Sequence, residues 1–280
     1  MRSAISAEWT KLLPHRGTWM LVWLYPIGML LLLLAALAAR LGGAPGGPID
    51  AADWIGETAM VWYVPAVGFG RYLVAAYVAL AFAGEYGWNT WKLIVPHQAR
   101  WKLIAAKYAA VLGLLYCAWG AAAAIALVLQ VVKSAMLGQA IPAGVTAGAL
   151  FDGHFSLLVE GIAPLLLTAA YASLTAVLTR STLAAFILSL VLITVDQLFG
   201  KIVVLLSAYG VEWPSALYRL LPGYHLENFG RWLHEGVGLQ IRLADGVIAY
   251  SQTSSFLMLA AWIVGLAGLV FAVFRRQDLN

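Results

Sequence analysis

Residues 157–206 read LLVEGIAPLLLTAAYASLTAVLTRSTLAAFILSLVLITVDQLFGKIVVLL. Two apolar runs, 157–179 and 182–206, are divided only by Arg180 and Ser181. Each holds the roughly 20 helical residues that a hydrocarbon core requires. Two such runs with a two-residue link form a tight helical hairpin. Four further windows of the same character lie outward from it, at 19–39, 60–84, 106–131 and 254–274. Hydrophobic residues make up 62% of the chain, charged residues 11%, and mean hydropathy is +0.85. A soluble domain carries about 25% charged residues. The expected fold is therefore an all-α polytopic membrane protein with six transmembrane helices. No internal repeat is visible, so residues 1–280 are read as a single transmembrane domain.

Orientation follows from the links. With both termini cytoplasmic, the inner segments hold ten basic residues: Arg2, Lys11, Arg16, Lys92, Arg100, Lys102, Lys107, Arg180, Arg275 and Arg276. Only Glu8, Glu85 and Asp278 oppose them. The outer loops hold five basic residues against eight acids. That bias is a positive-inside signal. It also accounts for a pI near 9.2 without nucleic acid as a partner. The expected location is a bacterial-type inner membrane, crossed several times. Ala36-Leu37-Ala38 has the form of a signal-peptidase site. The run before it is too long, carries Pro26 and follows 18 residues, so an uncleaved span is expected.

In residues 1–17, Ile5, Trp9, Leu12 and Leu13 fall on one helical face, which predicts an amphipathic helix flat at the inner interface. The 40–59 loop, with Gly42, Gly43, Pro45, Gly46, Gly47 and Pro48, reads as a turn-rich connector. The 132–156 loop reads as short and weakly polar. Ala121–Ala124, after Gly120, gives the third span a small-residue face. Residues 207–252 are too polar for a span, yet Leu226, Phe229, Leu233 and Val237 recur at near-helical spacing. One or two short helices packed in the outer interface are expected there. Leu239, Ile241 and Leu243 then alternate before Asp245-Gly246, which predicts a small hairpin.

The segment 85–107 (EYGWNTWKLIVPHQARWKLIAAK) is a polar, tryptophan-rich interruption between two apolar runs. Trp88, Trp91, Ile94 and Val95 follow helical spacing, and Pro96 suits the first turn of a second helix. The pattern predicts a short cytoplasmic helix at the membrane surface, read by a cytoplasmic partner.

Little else points to chemistry. Gly200-Lys201 is followed by Ile202, and Val195 stands where a phosphate-binding loop needs glycine. The five histidines lack metal-ligand spacing, and the single Cys117 forms no intrachain disulfide. No enzyme activity and no metal or cofactor of its own are expected. Four charges fall inside the spans: Arg71, Glu160, Asp196 and Lys201. A mid-bilayer charge costs about 2.5–3.5 kcal/mol on insertion scales, so each should be paired or face a cavity. Pairing between spans to fix helix order is the first reading. Lining a substrate path is the second, and proton coupling the third.

An N-terminal amphipathic helix, six spans and a basic segment after the second span together resemble the ABC-2 type permease family. The likeness rests on Glu85, Thr90-Trp91-Lys92, Pro96, Arg100 and Lys107. Glu8 before Lys11-Leu12, and Phe274-Arg275-Arg276 near the end, resemble that family's opening and close. Asn89 departs from the pattern, which usually has glycine before the threonine. The resemblance implies an exporter permease in which two copies, touching through spans one and five, pair with two separate ATPase subunits that bind ATP and magnesium. It implies that Glu85, Trp88, Thr90, Trp91, Lys92, Pro96 and Arg100 form the ATPase-coupling segment, with 207–252 at an outer gate. The substrate would be amphipathic: a peptide, drug or lipid. A membrane anchor for an ATPase-driven machine and a secondary transporter are the rival readings.

Overall fold

A computed structural model describes the chain except residues 44–46, 48, 64, 65, 67, 88, 89, 92–94, 96, 97, 245, 279 and 280. About 82% is helical. The described elements are α1 (Arg2–Leu12), α2 (Arg16–Leu41, with a π turn at Trp19–Trp23), α3 (Ala51–Ala59), α4 (Gly68–Gly87), α5 (Arg100–Met136) and α6 (Ala147–Thr179). They continue with α7 (Thr182–Ala208), α8 (Trp213–Tyr218), α9 (Pro222–Glu235), β1 (Gln240–Leu243), β2 (Gly246–Ala249) and α10 (Gln252–Arg276). Five of these, α2, α5, α6, α7 and α10, are long and apolar enough to cross a membrane. The chain is a helical, multi-pass membrane protein.

Helix boundaries differ from the sequence windows for physical reasons. At 37 residues, α5 is about 55 Å long, nearly twice a hydrocarbon core. It and α6 take in much of the segment read as a 132–156 loop, leaving 137–146 as the link. Hydropathy marks only the part of a helix that lipid touches, so the polar ends went unread. The 40–59 connector contains α3, capped by Asp50, whose carboxylate accepts from Asp53 N at 2.8 Å. The second apolar window is not one continuous helix. It holds a 3₁₀ turn at Met60–Trp62, and α4 begins only at Gly68. Arg71 therefore lies in the first turn of α4, not mid-span.

Packing divides the chain into two compact units. The first comprises Met1–Val67 and Ala105–Gly161. Its core gathers Met29, Val61, Ala122, Ala123 and Ala126, the small-residue face of α5 receiving Tyr25 and Trp62. Tyr25 donates to Val61 O at 2.7 Å. Trp54 of α3 donates to Ser134 Oγ at 3.3 Å, while Lys133 and Gln130 both donate to Glu57 at 2.8 Å. His154 meets Trp62 Nε1 at 3.0 Å and Thr58 Oγ1 at 3.2 Å.

The second unit comprises Gly68–Ile104 and Ile162–Asn280. The α6–α7 hairpin turns at Arg180 in the left-handed region (φ 54°), and Ser181 caps α7. Thr175 and Ser189 bond across it at 3.0 Å. In a membrane such short polar side chains let helices approach and bond closely. Val203 near the end of α7 forms a second cluster with Tyr218, Tyr224, Leu239 and Ile248. The hairpin β1–β2 forms as its alternation predicts, pairing Ile241 with Ile248 and Leu243 with Gly246. Gly223 sits so close to the Asp196 carbonyl that any Cβ there would clash with backbone.

Candidate functional site

In the second unit, Trp91 and Arg100 reach the end of α10. Arg100 Nη1 lies 3.0, 3.0 and 2.6 Å from the carbonyl oxygens of Phe274, Arg275 and Gln277. A guanidinium there caps the last carbonyls and meets the negative end of the helix dipole. Trp91 is 2% exposed, with its ring centroid 4.6 Å from Phe274 and 6.0 Å from Tyr86. Gln277 accepts from Tyr86 at 2.6 Å and donates to Val177 O at 2.6 Å, which draws α6 into the same knot. The Glu85 carboxylate, 1% exposed, accepts from the Thr90 hydroxyl.

Of the coupling residues read from sequence, Glu85, Thr90, Trp91 and Arg100 thus come together. Trp88, Lys92 and Pro96 lie outside the described residues. Within the chain, Trp91 and Glu85 turn inward and Arg100 spans to α10. Sequence spacing placed these residues on a surface helix but carried no signal that α10, some 175 residues on, would supply the opposing surface.

The intramembrane charges sort themselves by unit. In the second, Arg71 Nη2 donates to Asp196 at 3.0 Å, the two side chains being only 4% and 3% exposed. Arg71 Nε donates to Thr168 at 2.9 Å, and Tyr171 donates to Asp196 at 3.1 Å. Tyr72 and Thr194 bond alongside at 2.9 Å. These further hydrogen bonds offset part of the cost of burying the Arg71–Asp196 pair. Lys201 is exposed on α7, and Glu160 is half-buried in the first unit.

One charge pair was missed. In the first unit Lys107, fully buried, donates to Glu8 at 2.7 Å. Ala4, Glu8 and Leu12 form the buried face of α1, while Leu13 is exposed. Trp9 lies against α5, where a Cβ on Gly113 would stand 2.7 Å from its ring. The apolar stripe of α1 predicts a lipid-facing helix. Its carboxylate instead faces protein, because Lys107 sits within α5 and needs a counter-ion there. Lys11 beside them titrates near 8, pushed down by burial first and the Lys107 charge second, with Glu8 partly offsetting both. The signal was present as one acid in α1 and one lysine entering an apolar run, but positive-inside counting assigned both to solvent.

A third polar cluster lies near β1–β2. His225 Nε2 bonds to Arg219 O at 3.0 Å and Nδ1 to Ser255 Oγ at 3.0 Å. Asn228 donates to Ser255 at 2.7 Å and to Tyr250 O at 3.0 Å, and accepts from Leu239 N at 2.6 Å. Tyr224 donates to Leu239 O at 2.8 Å. These bonds tie α9 to the hairpin and α10. Among the described residues no group of His, Cys, Asp and Glu is arranged to hold a metal ion. Comparison with protein-family models and with curated proteins finds no match for the chain.

Proposed function

We propose that this chain is the permease subunit of an exporter of the ABC-2 type, crossing the membrane six times with both termini cytoplasmic. Two copies assemble with two ATPase subunits, which bind ATP and magnesium, and the substrate is amphipathic. One observation carries the reading. Described residues where α4 ends and α5 begins are braced: Arg100 caps α10, Trp91 is wedged on Phe274, and Glu85 holds Thr90. A partner pressing on those residues would move α4, α5 and α10 together, which is the mechanical requirement for coupling. The apolar faces exposed on α2 and on α7, such as Leu31, Leu32, Leu183 and Val191, suit contact with lipid or a second copy.

The test is to reconstitute the full chain with a candidate ATPase subunit from the same organism and to measure ATP hydrolysis with and without amphipathic peptides, drugs and lipids. Binding of the ATPase and substrate-stimulated hydrolysis are expected. Arg100→Ala should leave the complex intact and abolish the stimulation. A chain that binds no ATPase overturns the proposal. Binding with normal hydrolysis but no stimulation or transport of any substrate class identifies an anchor for an ATPase-driven machine instead.

A further inference from the structure

A groove of about 640 Å³ opens between the start of α5 and the end of α10, lined by Arg100, Trp101, Phe271, Phe274, Arg275 and Arg276. Its chemistry is graded. At one end stand Arg275 and Arg276, both exposed, and no carboxylate among the described residues pairs with either. The α10 carbonyls, which would otherwise attract them, are already occupied by Arg100. Trp101 forms one wall; it is 57% exposed and carries Lys102 Nζ at 5.7 Å from its ring. A large amphipathic ring beside cations is the side-chain pairing of a membrane interface. One turn earlier on α10 the lining becomes apolar at Phe271 and Ala272. From there Ala272, Gly268, Gly265 and Ala261, all exposed, run back along α10 at helical spacing. A Cβ built on Gly265 or Gly268 meets nothing within 4 Å, so the stripe is an open furrow.

We infer that this groove binds an anionic phospholipid, its phosphate between Arg275 and Arg276 and an acyl chain along Phe271 and the furrow. Charge selects the headgroup, since arginine meets phosphate in a fixed bidentate fork. The apolar continuation selects a lipid over free phosphate. Basic pockets between membrane helices recognise anionic headgroups in this way. The site stands independently of the transport reading.

The experiment titrates the full chain in detergent with phosphatidylglycerol, with phosphatidylcholine of the same chains, and with inorganic phosphate, counting bound lipid by native mass spectrometry. Saturable phosphatidylglycerol binding, much weaker phosphatidylcholine binding and no competition by inorganic phosphate are expected. Replacing Arg275 and Arg276 together by Gln should weaken phosphatidylglycerol roughly 30-fold, taking the usual contribution of each surface arginine. Lysine at both positions keeps the charge and loses the fork, so its affinity should fall between those of the native chain and the double Gln variant. Arg231→Gln, an exposed arginine paired with Glu235 on α9, should change nothing. The proposal is overturned if the double Gln variant binds as the native chain does, if phosphatidylcholine binds equally, or if inorganic phosphate displaces the lipid. A double Lys variant that loses binding together with its helical circular dichroism leaves the decision to the two lipids on the native chain.

Discussion

Lys107 and Glu8 show what a single buried pair demands of a membrane protein. An ammonium with no exposed surface is tolerated because a carboxylate 2.7 Å away neutralises it. Removing one partner strands the other in low dielectric, which costs about 3–5 kcal/mol, whereas replacing both by apolar residues is often nearly neutral. Lys107→Met should therefore lower stability by roughly that amount, and the Glu8→Met, Lys107→Met double variant should recover most of it. Thermal unfolding in detergent of the four members of this cycle measures the coupling. Additive losses would mean that the pair contributes nothing as a pair. The sequence held both residues in plain view, but their distance of 99 positions is invisible to local periodicity. Arg71 and Asp196 were legible as charges needing partners, and their partnership became visible only when α4 and α7 were packed.

Among the elements, α9 is held by side chains that require one protonation state. Arg219 O can only accept, so His225 Nε2 carries the hydrogen and Nδ1 accepts from Ser255. Burial lowers the pKa of His225, its bond to Arg219 O partly opposing this. The unfolded chain thus binds a proton more readily than the folded one. The contribution of this cluster is complete above the ordinary histidine range near 6.5 and is lost as pH falls through it toward the lower folded value. Thermal unfolding at about pH 7.5 and about pH 5.5 should show a loss of stability on acidification that His225→Gln reduces. An identical pH dependence in that variant would assign the effect elsewhere. The existence of α9 and of the β1–β2 hairpin was readable from local spacing, because both are short and set by their own turns. Their joining was not, since Asn228, Ser255 and Tyr250 bond across 22 and 27 positions. Likewise α3 escaped notice because glycines and prolines before Asp50 masked a capped, buried turn.

At the scale of the molecule, the open quantity is the number of crossings, and α4 decides it. Its 20 residues are long enough to span a bilayer, yet it is absent from the five strongly apolar helices. The cause is its composition: Arg71 and Glu85 sit in its two end turns, and eleven of its residues are buried against protein. A helix shielded by its neighbours does not need a lipid-like surface, so hydropathy underrates it. If α4 crosses, residues before it and after it lie on opposite sides. Single cysteines at Ala52, Gln98 and Val237, in a Cys117→Ser background, read this directly with an impermeant thiol reagent on intact cells. Ala52 and Val237, both exposed, should label from outside, and Gln98 should label only after the membrane is opened. Ala52 and Gln98 labelling from the same side would remove α4 from the spans and leave five crossings. Gln98 labelling from outside with Ala52 and Val237 protected would keep six crossings and invert the molecule. That outcome would place the braced residues, Arg275 and Arg276 on the wrong face for a cytoplasmic ATPase.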